Sequence, residues 1–487
     1  MIRVVTDESS FRRLAADAPA GARIPVEARV DADPFDAYRR LRGDHGVFYE
    51  TTGGQDGWGY FATDPERVVT VGTERSAFDA LRQTLAGERL VRGDCTVPYP
   101  CGLFGWLSYD AVRELEPLPD ETTDERDLPR VQFGVFDSVV AWEAADARDG
   151  PPTLRVCVCP RVDGDPASAY ERARERAEHV ATELTSGEPP TPDPPVPTDS
   201  VEFVGDATRS EFADRVRRVK ELIRAGDTFQ TNVSQRLTAP AAVHPVAAYD
   251  ALRRVNPAPY SGLVELPGLD LVSASPELLL DVDEDGRLLT EPIAGTRPRG
   301  ADAETDAEFA SELVEDAKER AEHAMLVDLE RNDLGKVSRF GSVTVEEYRR
   351  VDRYSEVMHL VSLVAGELRP ALDTVDAIEA AFPGGTITGA PKPRTMEIIE
   401  AVEATKRGPY TGSMFALGFD GRATLNIVIR TLVHADGEYG LRVGAGIVHD
   451  SDPDAEYEET LDKGRALLTA LDTALETRLS VAGEPDV

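Results

Sequence analysis

Residues Pro383–Tyr410 read PGGTITGAPKPRTMEIIEAVEATKRGPY, and this stretch predicts a Gly-rich loop that leads into a helix. Pro391 stands near the first turn, apolar residues recur at helical spacing after it, and Gly408 followed by Pro409 gives a stop signal. Glycines ahead of a helix N-terminus leave backbone N–H groups free at the positive end of the helix dipole. The stretch therefore predicts an anion site.

The anion is not predicted to be a nucleotide. Gly384 and Gly389 have the spacing of a phosphate-binding P-loop, but Ala390 and Pro391 stand where Lys and Ser or Thr are required. A small molecule that carries a carboxylate fits this loop better.

Length and composition predict a soluble, globular protein. The chain has 487 residues, 41% of them hydrophobic, with no apolar run approaching the length of a membrane span. The N-terminus lacks an apolar stretch of the signal-peptide type, which predicts a cytoplasmic location. Cys157 and Cys159 alternate with valines in a strand-like run, a pattern more typical of small buried side chains than of metal ligands.

Acidic residues dominate the charge balance. The 89 acidic and 53 basic residues give a formal net charge of −36, and only six of the basic residues are lysines. Because the acidic residues are spread along the whole chain, they predict a solvated acidic surface of the kind found in halophilic proteins. A surface of this charge repels nucleic acids and anionic membranes, so neither is a predicted partner.

The order of elements predicts two regions joined by a linker. Residues 1–185 form an N-terminal region of mixed strands and helices, 186–200 form an exposed Pro-rich linker, 201–476 form the second region, and 477–487 form a flexible tail. The pattern predicts helices over 36–41, 167–183, 209–225, 307–331 and 454–476, a tight apolar turn over 102–112, and strands over 68–71, 132–142, 229–237, 269–273, 277–282, 425–433 and 440–443.

Two pairs of glutamates are candidate metal ligands. Glu319 and Glu322 lie three residues apart on one predicted helix, and Glu456 and Glu459 do the same on another. Four carboxylates would suit Mg²⁺, which needs few protein ligands and keeps waters that a substrate anion displaces. The same spacing is typical of exposed acidic faces in an acidic protein, so both interpretations stay open on spacing alone.

Three further side chains are open to two interpretations each. Arg430 lies in the strand-like run LNIVIRTL, where a structural ion pair and a substrate carboxylate are equally good partners. His359 and Tyr410 stand in surroundings that are more typical of hydrogen-bonded core residues than of catalytic groups.

Nine motifs together carry a resemblance. In chain order they are GDTFQTNVSQRL, SASPELLL, PIAGTRPRG, ERAEHAMLVDLERNDLGKV, VMHLVSLVAGEL, GGTITGAPKPRTMEII, RGPYTGS, NIVIRTL and GAGIVHDSDPDAEYEET. This series resembles the chorismate-utilising enzymes, and within them component I of anthranilate synthase and aminodeoxychorismate synthase. The resemblance implies an α+β fold in which two antiparallel β-sheets pack as a sandwich with helices outside.

The resemblance also implies the contents of an active site. Mg²⁺ would be surrounded by Glu319, Glu322, Glu456 and Glu459, most directly by Glu319 and Glu456, and would fix the ring carboxylate of chorismate. The enolpyruvyl carboxylate would be held by Arg430, Tyr410 and the backbone of Gly444, Ala445 and Gly446. Lys463 would add positive charge, His359 and Thr386 would lie near the departing 4-hydroxyl, and Glu277 would serve as an acid or base.

The nucleophile is predicted to be ammonia. Isochorismate and salicylate synthases activate water with a lysine at the position of Gln230, and a glutamine side chain does not act as a base. The chain contains no Gly-x-Cys-x-Gly motif for hydrolysing glutamine, so a separate glutamine amidotransferase subunit would supply the ammonia.

The residues that distinguish the two ammonia-using branches of the family favour different products. Aminodeoxychorismate synthases carry a nucleophilic lysine where this chain has Ala294, the residue seen in anthranilate synthases. Asn232, Thr388, Asn426 and the YTGS sequence at 410–413 resemble the aminodeoxychorismate branch instead. We expect aminodeoxychorismate synthase component I, with anthranilate synthase component I as the alternative and a non-catalytic chorismate-binding subunit as the third interpretation.

Overall fold

The computed structural model describes residues 2–148, 150–198, 201–353, 357–475 and 480–481. The strands are β1 Arg3–Val4, β2 Val26–Asp31, β3 Gly46–Glu50, β4 Trp58–Thr63, β5 Arg67–Val71, β6 Gly102–Leu107, β7 Val131–Phe136, β8 Ser138–Glu143, β9 Thr153–Val158, β10 Glu202–Gly205, β11 Gln230–Pro240, β12 Tyr260–Leu266, β13 Leu269–Ser275, β14 Leu278–Val282, β15 Arg287–Thr290, β16 Ile293–Pro298, β17 Thr344–Arg353, β18 Val357–Glu367, β19 Gly389–Ala390, β20 Ser413–Gly418, β21 Ala423–Asn426, β22 Thr431–Ala435, β23 Glu438–Ile447 and β24 Ser480–Val481.

Helices connect these strands. They are α1 Glu8–Asp17, α2 Pro34–Leu41, α3 Ala77–Ala86, α4 Pro166–Glu183, α5 Arg209–Ala225, α6 Pro245–Val255, α7 Ala303–Glu315, α8 Ala317–Gly335, α9 Thr374–Ala381, α10 Lys392–Val402 and α11 Pro453–Leu475. Local signals set their ends: Thr208 and Glu211 form a capping box at the start of α5, and Gly226 ends that helix in the left-handed conformation.

Two sheets organise the molecule. The larger runs in the order β1-β2-β9-β8-β4-β3-β12-β13-β22-β23-β11-β10-β24, with β19 paired to β11, and the smaller runs β16-β18-β15-β14-β21-β20-β6-β7-β5, with β17 paired to β18. Neighbouring strands are antiparallel except for the short pair β10–β24. The predicted α+β fold with two antiparallel sheets is confirmed.

The core lies in three layers. Between the sheets, Val47 and Leu271 of the larger sheet share one buried cluster with Phe104 and Trp106 of the smaller sheet. A second cluster packs α1, α2, α4, α6 and α11 on the outer face of the larger sheet, and a third packs α3, α8, α9 and α10 on that of the smaller. Each sheet therefore buries apolar side chains on both faces, which explains the near-continuous apolar strands.

Several predicted elements are corrected. The segment 102–112 is a full strand, β6, followed by a 3₁₀ turn over Tyr109–Glu114, because its residues alternate between two buried faces. The helix predicted over 307–331 is two helices, since Asp316 leaves the helical conformation and caps α8 through its side chain. The strand predicted over 425–433 is interrupted at 427–430, and the predicted final helix ends at Leu475 within the described residues.

The two predicted regions share both sheets. β3 of the N-terminal region pairs with β12, and β6 pairs with β20, so the strands of residues 1–185 and 201–476 are interleaved. The Pro-rich segment contains no helix or strand over 186–198, and its carbonyls at Gly187 and Pro190 accept hydrogen bonds from arginines of α2. Most of the predicted tail lies outside the described residues, and its Ser480–Val481 pairs with β10.

None of the helices in the described part of the chain carries an apolar stretch that would span a lipid bilayer.

Candidate active site

One large cavity gathers most of the predicted site. It has a volume of about 1180 Å³ and lies between the Gly-rich loop, α8, α11, β16 and β18. Nine of the predicted residues line it: Glu319, Glu322, His359, Thr386, Arg430, Gly446, Glu456, Glu459 and Lys463. Side chains from positions more than 140 residues apart are thus brought to one concave surface.

The other four predicted residues lie behind the cavity wall. Glu277 accepts a hydrogen bond of 2.5 Å from Thr386, and the carbonyl of Gly444 accepts one of 3.0 Å from Lys463. A Cβ at Gly444 would lie 2.5 Å from the Tyr410 hydroxyl, so only glycine fits there. The Ala445 side chain is fully buried in an apolar cluster that includes α5 and α10, so this residue has only backbone to offer a ligand.

The four glutamates face the cavity from two helices. Glu319 pairs with Arg297 at 3.1 Å, Glu459 with Lys463 at 2.8 Å and Glu322 with Lys318 at 3.8 Å. Burial raises the pKa of Glu456, and the neighbouring Glu459 carboxylate adds to this rise. Burial likewise raises the pKa of Glu322, with smaller contributions from Glu319 and Glu456. Burial and the neighbouring carboxylates therefore both oppose ionisation of Glu322 and Glu456.

This donor set has the chemistry that Mg²⁺ prefers, since all four groups are hard oxygen ligands. Among the described residues, however, no three of these carboxylates have oxygens within 4.8 Å of one another; the group that meets this criterion is Glu27, Cys95 and Cys157. The four carboxylates therefore match Mg²⁺ by the chemistry of their oxygen atoms and not by a preformed ligand geometry.

Arg430 reaches the cavity from an irregular segment. The sequence placed it on a strand, but it lies between β21 and β22 with φ at +49°, in the left-handed region. This conformation interrupts the strand, so Arg430 does not continue the alternation of side chains along β21, which ends at Asn426. The amide of Asn426 instead bonds the backbone of Met414 and Tyr260, within the fold.

His359 lies in the cavity wall in its neutral form. Burial, together with the nearby Arg430 guanidinium, lowers the pKa of His359 to about 4. Its Nδ1 lies 3.0 Å from Thr296 Oγ1 and 3.2 Å from the carbonyl oxygen of Gly295. A neutral imidazole held in this way positions a hydrogen bond and does not contribute a positive charge.

Glu277 has the properties of a general acid. It is 6% exposed, and burial raises its pKa to about 7, opposed in part by the hydrogen bond from Thr386. A carboxyl group of this kind is protonated over much of the neutral range and delivers its proton to a leaving group.

The Gly-rich loop is built differently from the prediction. The N–H of Gly385 donates to the buried Glu330 at 3.3 Å, and Lys392 donates to Asp333 and to the carbonyl of Pro383. Carboxylates of the protein itself thus already accept hydrogen bonds from the Gly385 N–H and from Lys392. Thr386 remains as the residue through which the loop contributes to the cavity. The helix that follows ends at Val402, six residues before the predicted stop at Gly408.

Three polar residues in the wall have atoms without a partner. Within the described part of the chain, Gln230 Oε1, Asn232 Oδ1 and Asn256 Nδ2 are buried and make no hydrogen bond, and all three residues line the cavity. Such atoms are costly unless a ligand or water satisfies them. Asn256 and Arg297 were not predicted as site residues; Asn256 begins the sequence NPAPY at 256–260, and Arg297 lies in the motif PIAGTRPRG.

Several known proteins are similar to this chain in sequence. The sequence matches the family described as chorismate binding enzyme over residues 74–469. Anthranilate synthase component 1 3 of Haloarcula marismortui is 62% identical, covering 100% of this chain and 98% of the relative, and component 1 1 of the same organism is 63% identical, covering 99% of both. Aminodeoxychorismate synthase component 1 of Bacillus subtilis is 38% identical, covering 94% of this chain and 98% of the relative.

A solved structure shares the fold. Anthranilate synthase component I from Streptococcus pneumoniae superposes with a TM-score of 0.73 at 30% identity, covering 90% of this chain and 97% of that one. The family match spans about four fifths of the sequence, and relatives at 62–63% identity align over nearly its whole length. The chain therefore belongs to the chorismate-binding enzyme family.

Proposed function

We propose that this protein is component I of an anthranilate synthase, which converts chorismate and ammonia to anthranilate and pyruvate with Mg²⁺ as cofactor. The observation that supports this product over the expected aminodeoxychorismate is the 62–63% identity to two anthranilate synthase components, against 38% to an aminodeoxychorismate synthase component. The alternative of the sequence analysis is thus better supported than its first choice.

The wall of the large cavity supports the same choice. Ala294 lines it, and a methyl group cannot form the covalent bond that a lysine makes in aminodeoxychorismate synthases. Thr388 and Asn426, which suggested the other branch, bond the backbone of Gly384 and Met414 and so serve the fold. Of the three residues Asn232, Thr388 and Asn426, Asn232 alone lies on the wall of the large cavity.

Chorismate carries two carboxylates, and the cavity offers two places for them. Arg430, Lys463 and the backbone around Gly446 form a cationic end suited to the enolpyruvyl carboxylate. Glu319, Glu322, Glu456 and Glu459 would hold Mg²⁺, which when bound would neutralise them and anchor the ring carboxylate.

Loss of the 4-hydroxyl requires a proton, and Glu277 with Thr386 is placed to provide it. The two side chains share a short hydrogen bond, and Thr386 lies in the cavity wall in front of the buried carboxyl group. His359 would accept or donate a hydrogen bond at the same hydroxyl as a neutral group. Gln230 gives no base for activating water, which leaves ammonia as the nucleophile.

Ammonia would come from a glutamine amidotransferase subunit, component II. The names of the relatives designate component 1 of two-component enzymes, which supports such a partner. The chain itself carries no glutaminase motif.

The proposal is tested by incubating the purified protein with chorismate, MgCl₂ and ammonium chloride, and by separating the products. We expect fluorescent anthranilate and pyruvate in equal amounts without any added lyase. Accumulation of 4-amino-4-deoxychorismate would overturn the assignment in favour of the other branch. Absence of turnover with ammonia, in protein that binds chorismate, would favour the non-catalytic interpretation.

The substitution Ala294→Lys gives a second test of the branch. If a lysine at this position attacks ring carbon 2 so that ammonia enters at carbon 4, the variant should lose anthranilate formation, and mass spectrometry should detect a covalent adduct with chorismate. Ala294→Leu is the matched control, because it adds a side chain without a nucleophile.

A further inference from the structure

A second, small cavity lies beside Tyr410, a residue that does not line the large cavity. Its volume is about 50 Å³, and Tyr410 forms part of its wall. Six arginines line it, and three of them come together from separate segments: Arg126 from the loop before β7, Arg236 from β11 and Arg442 from β23. In a chain with a net charge of −36, a convergence of guanidinium groups requires an explanation.

Two of these arginines are direct cross-strand neighbours. Arg236 and Arg442 are opposite each other in the antiparallel pair of β11 and β23, on the same face of the sheet. Like charges in this position destabilise a sheet. The arrangement is stable only if negative charge lies close to both.

Carboxylates satisfy this pair incompletely. Glu403 contacts Arg442 at 3.2 Å, but it also pairs with Arg407 at 2.7 Å and so is shared. The partner of Arg236 is Glu125, a half-exposed residue, and the Nε of Arg236 is buried without a hydrogen bond within the described residues.

Arg126 differs from these two arginines in its lack of a paired carboxylate among the described residues. In the described part of the chain it makes no hydrogen bond and no ion pair within 4.0 Å. Burial lowers its pKa and the charges of Arg236 and Arg442 lower it further, while Glu438 and Asp436 oppose this shift from beyond ion-pair distance. The guanidinium lies against Gly440, where a Cβ would be only 2.8 Å from its nearest nitrogen, so the glycine leaves room for it.

The other acidic residues of the wall are already engaged. Asp110 accepts from the N–H of Gly408 at 2.8 Å, and Asp124 faces Lys406 at 3.4 Å. Neither therefore neutralises Arg126. A volume of about 50 Å³ exceeds what one water needs, and it accommodates an ion of a few heavy atoms.

We propose that this cavity is a binding site for a small oxyanion of the phosphate or sulfate class, held by Arg126, Arg236 and Arg442. Guanidinium groups present paired N–H donors that match the oxygens of such an anion. The anion would relieve the repulsion between the cross-strand arginines and supply the partner that Arg126 lacks. This site is separate from the proposed chorismate site, so its test is independent of the proposed function.

The experiment titrates phosphate into protein dialysed into phosphate-free KCl buffer, at constant ionic strength, with isothermal calorimetry and thermal unfolding as readouts. We expect saturable binding and a rise in Tm, with sulfate acting in the same way. Arg126→Ala should weaken phosphate binding by at least about tenfold, because a charge-assisted contact is lost. Arg148→Ala is the matched control, since Arg148 is an exposed arginine that pairs with Asp56 outside this cavity.

Stability without phosphate gives a second readout. If Arg126 is held against like charges, Arg126→Ala and Arg126→Gln should unfold at the same temperature as the wild-type chain or higher in phosphate-free buffer. The proposal is overturned if phosphate binds and stabilises both variants as it does the wild type, or if KCl at equal ionic strength reproduces the whole effect.

Discussion

At the scale of single residues, Glu277 differs from the four proposed metal ligands in being almost completely buried. The four proposed metal ligands stand beside lysine, arginine or one another, whereas Glu277 is buried behind Thr386. The free energy of ionising a buried carboxyl group exceeds that in water, so the proton stays on longer. This difference separates a proposed proton donor from proposed metal ligands in one cavity.

The pKa of Glu277 predicts a pH dependence of stability. The unfolded chain releases this proton near its ordinary pKa of 4.5, whereas the folded protein keeps it until about 7. The folded state therefore binds more protons in this window, and its stability falls as the pH rises, by about 3 kcal/mol for this group.

Urea unfolding of the wild-type chain and of Glu277→Gln between about pH 5 and pH 8 measures this contribution as the difference between two curves. Equal pH dependence in both proteins would contradict the raised pKa. We also expect the wild-type rate to decline above about pH 7, as the proposed acid ionises, and the variant to be nearly inactive at every pH.

The substitution Glu456→Gln tests the proposed Mg²⁺ site. Removing one anionic ligand should lower activity by about 100-fold or more and raise the Mg²⁺ concentration needed for half-maximal rate. Steady-state rates across a Mg²⁺ titration measure both effects. Glu458→Gln is the control on the same helix, because Glu458 is exposed and pairs with Arg209 away from the cavity. An unchanged Mg²⁺ dependence in Glu456→Gln would remove this residue from the metal site.

At the scale of elements, the Gly-rich loop is held in place by the bonds of a buried lysine. Lys392, at the first position of α10, is 7% exposed, and its ammonium group bonds Asp333 and two carbonyls of the segment that leads into the loop. These bonds tie the loop to α8, the helix that also carries Glu319 and Glu322. The hydrogen bonds on the buried side of the loop therefore position Thr386. The glycines of the loop allow close packing against Leu329 and Ile427.

Replacing Lys392 by Met should destabilise the protein by about 3 kcal/mol, because Asp333 would lose a buried partner and keep only Lys336. Urea unfolding measures the change. Arg394→Met, two residues further along the same helix, removes an exposed charge and should change stability by no more than about 1 kcal/mol. Similar losses in the two variants would mean that the buried pair does not support the loop.

At the scale of the whole molecule, the two predicted regions form one interleaved structure. β3 pairs with β12 along its full length, and β6 does the same with β20. The inter-sheet core draws on residues from both regions. Strands β12 and β20 of the second region therefore depend on N-terminal strands for their neighbours.

A fragment of residues 201–476 should consequently fail to fold as a cooperative unit, because β12 and β20 would each expose an unpaired edge and an apolar face. Circular dichroism and thermal unfolding of the isolated fragment test this. Mixing it with a fragment of residues 1–185 should restore a cooperative transition. Cooperative unfolding of the fragment 201–476 by itself would contradict the interleaving argument.

The salt dependence suggested by the acidic surface remains a prediction, measured by Tm across KCl concentrations.

Much of the fold and of the site was predictable because the relevant signals are local or recur as motifs. Helix periodicity and caps predicted α4, α5 and α11 to within a residue or two at the ends that the structure describes, and the spacing of glutamates placed two carboxylates on one face of each of two helices. The motif series predicted the family and the α+β sandwich. These properties depend on neighbours within about one helical turn or on a recognisable order of segments.

What only the tertiary structure decided depends on partners distant in the chain. The left-handed turn at Arg430, the Glu330 and Asp333 carboxylates beneath the Gly-rich loop, and the approach of Arg126 to Arg442 each bring together groups that no local pattern links. The raised pKa of Glu277 likewise follows from burial, which the sequence around it does not encode. Spacing along the chain determined which side chains share a face, whereas packing between the sheets determined which charges meet and which are left without a partner.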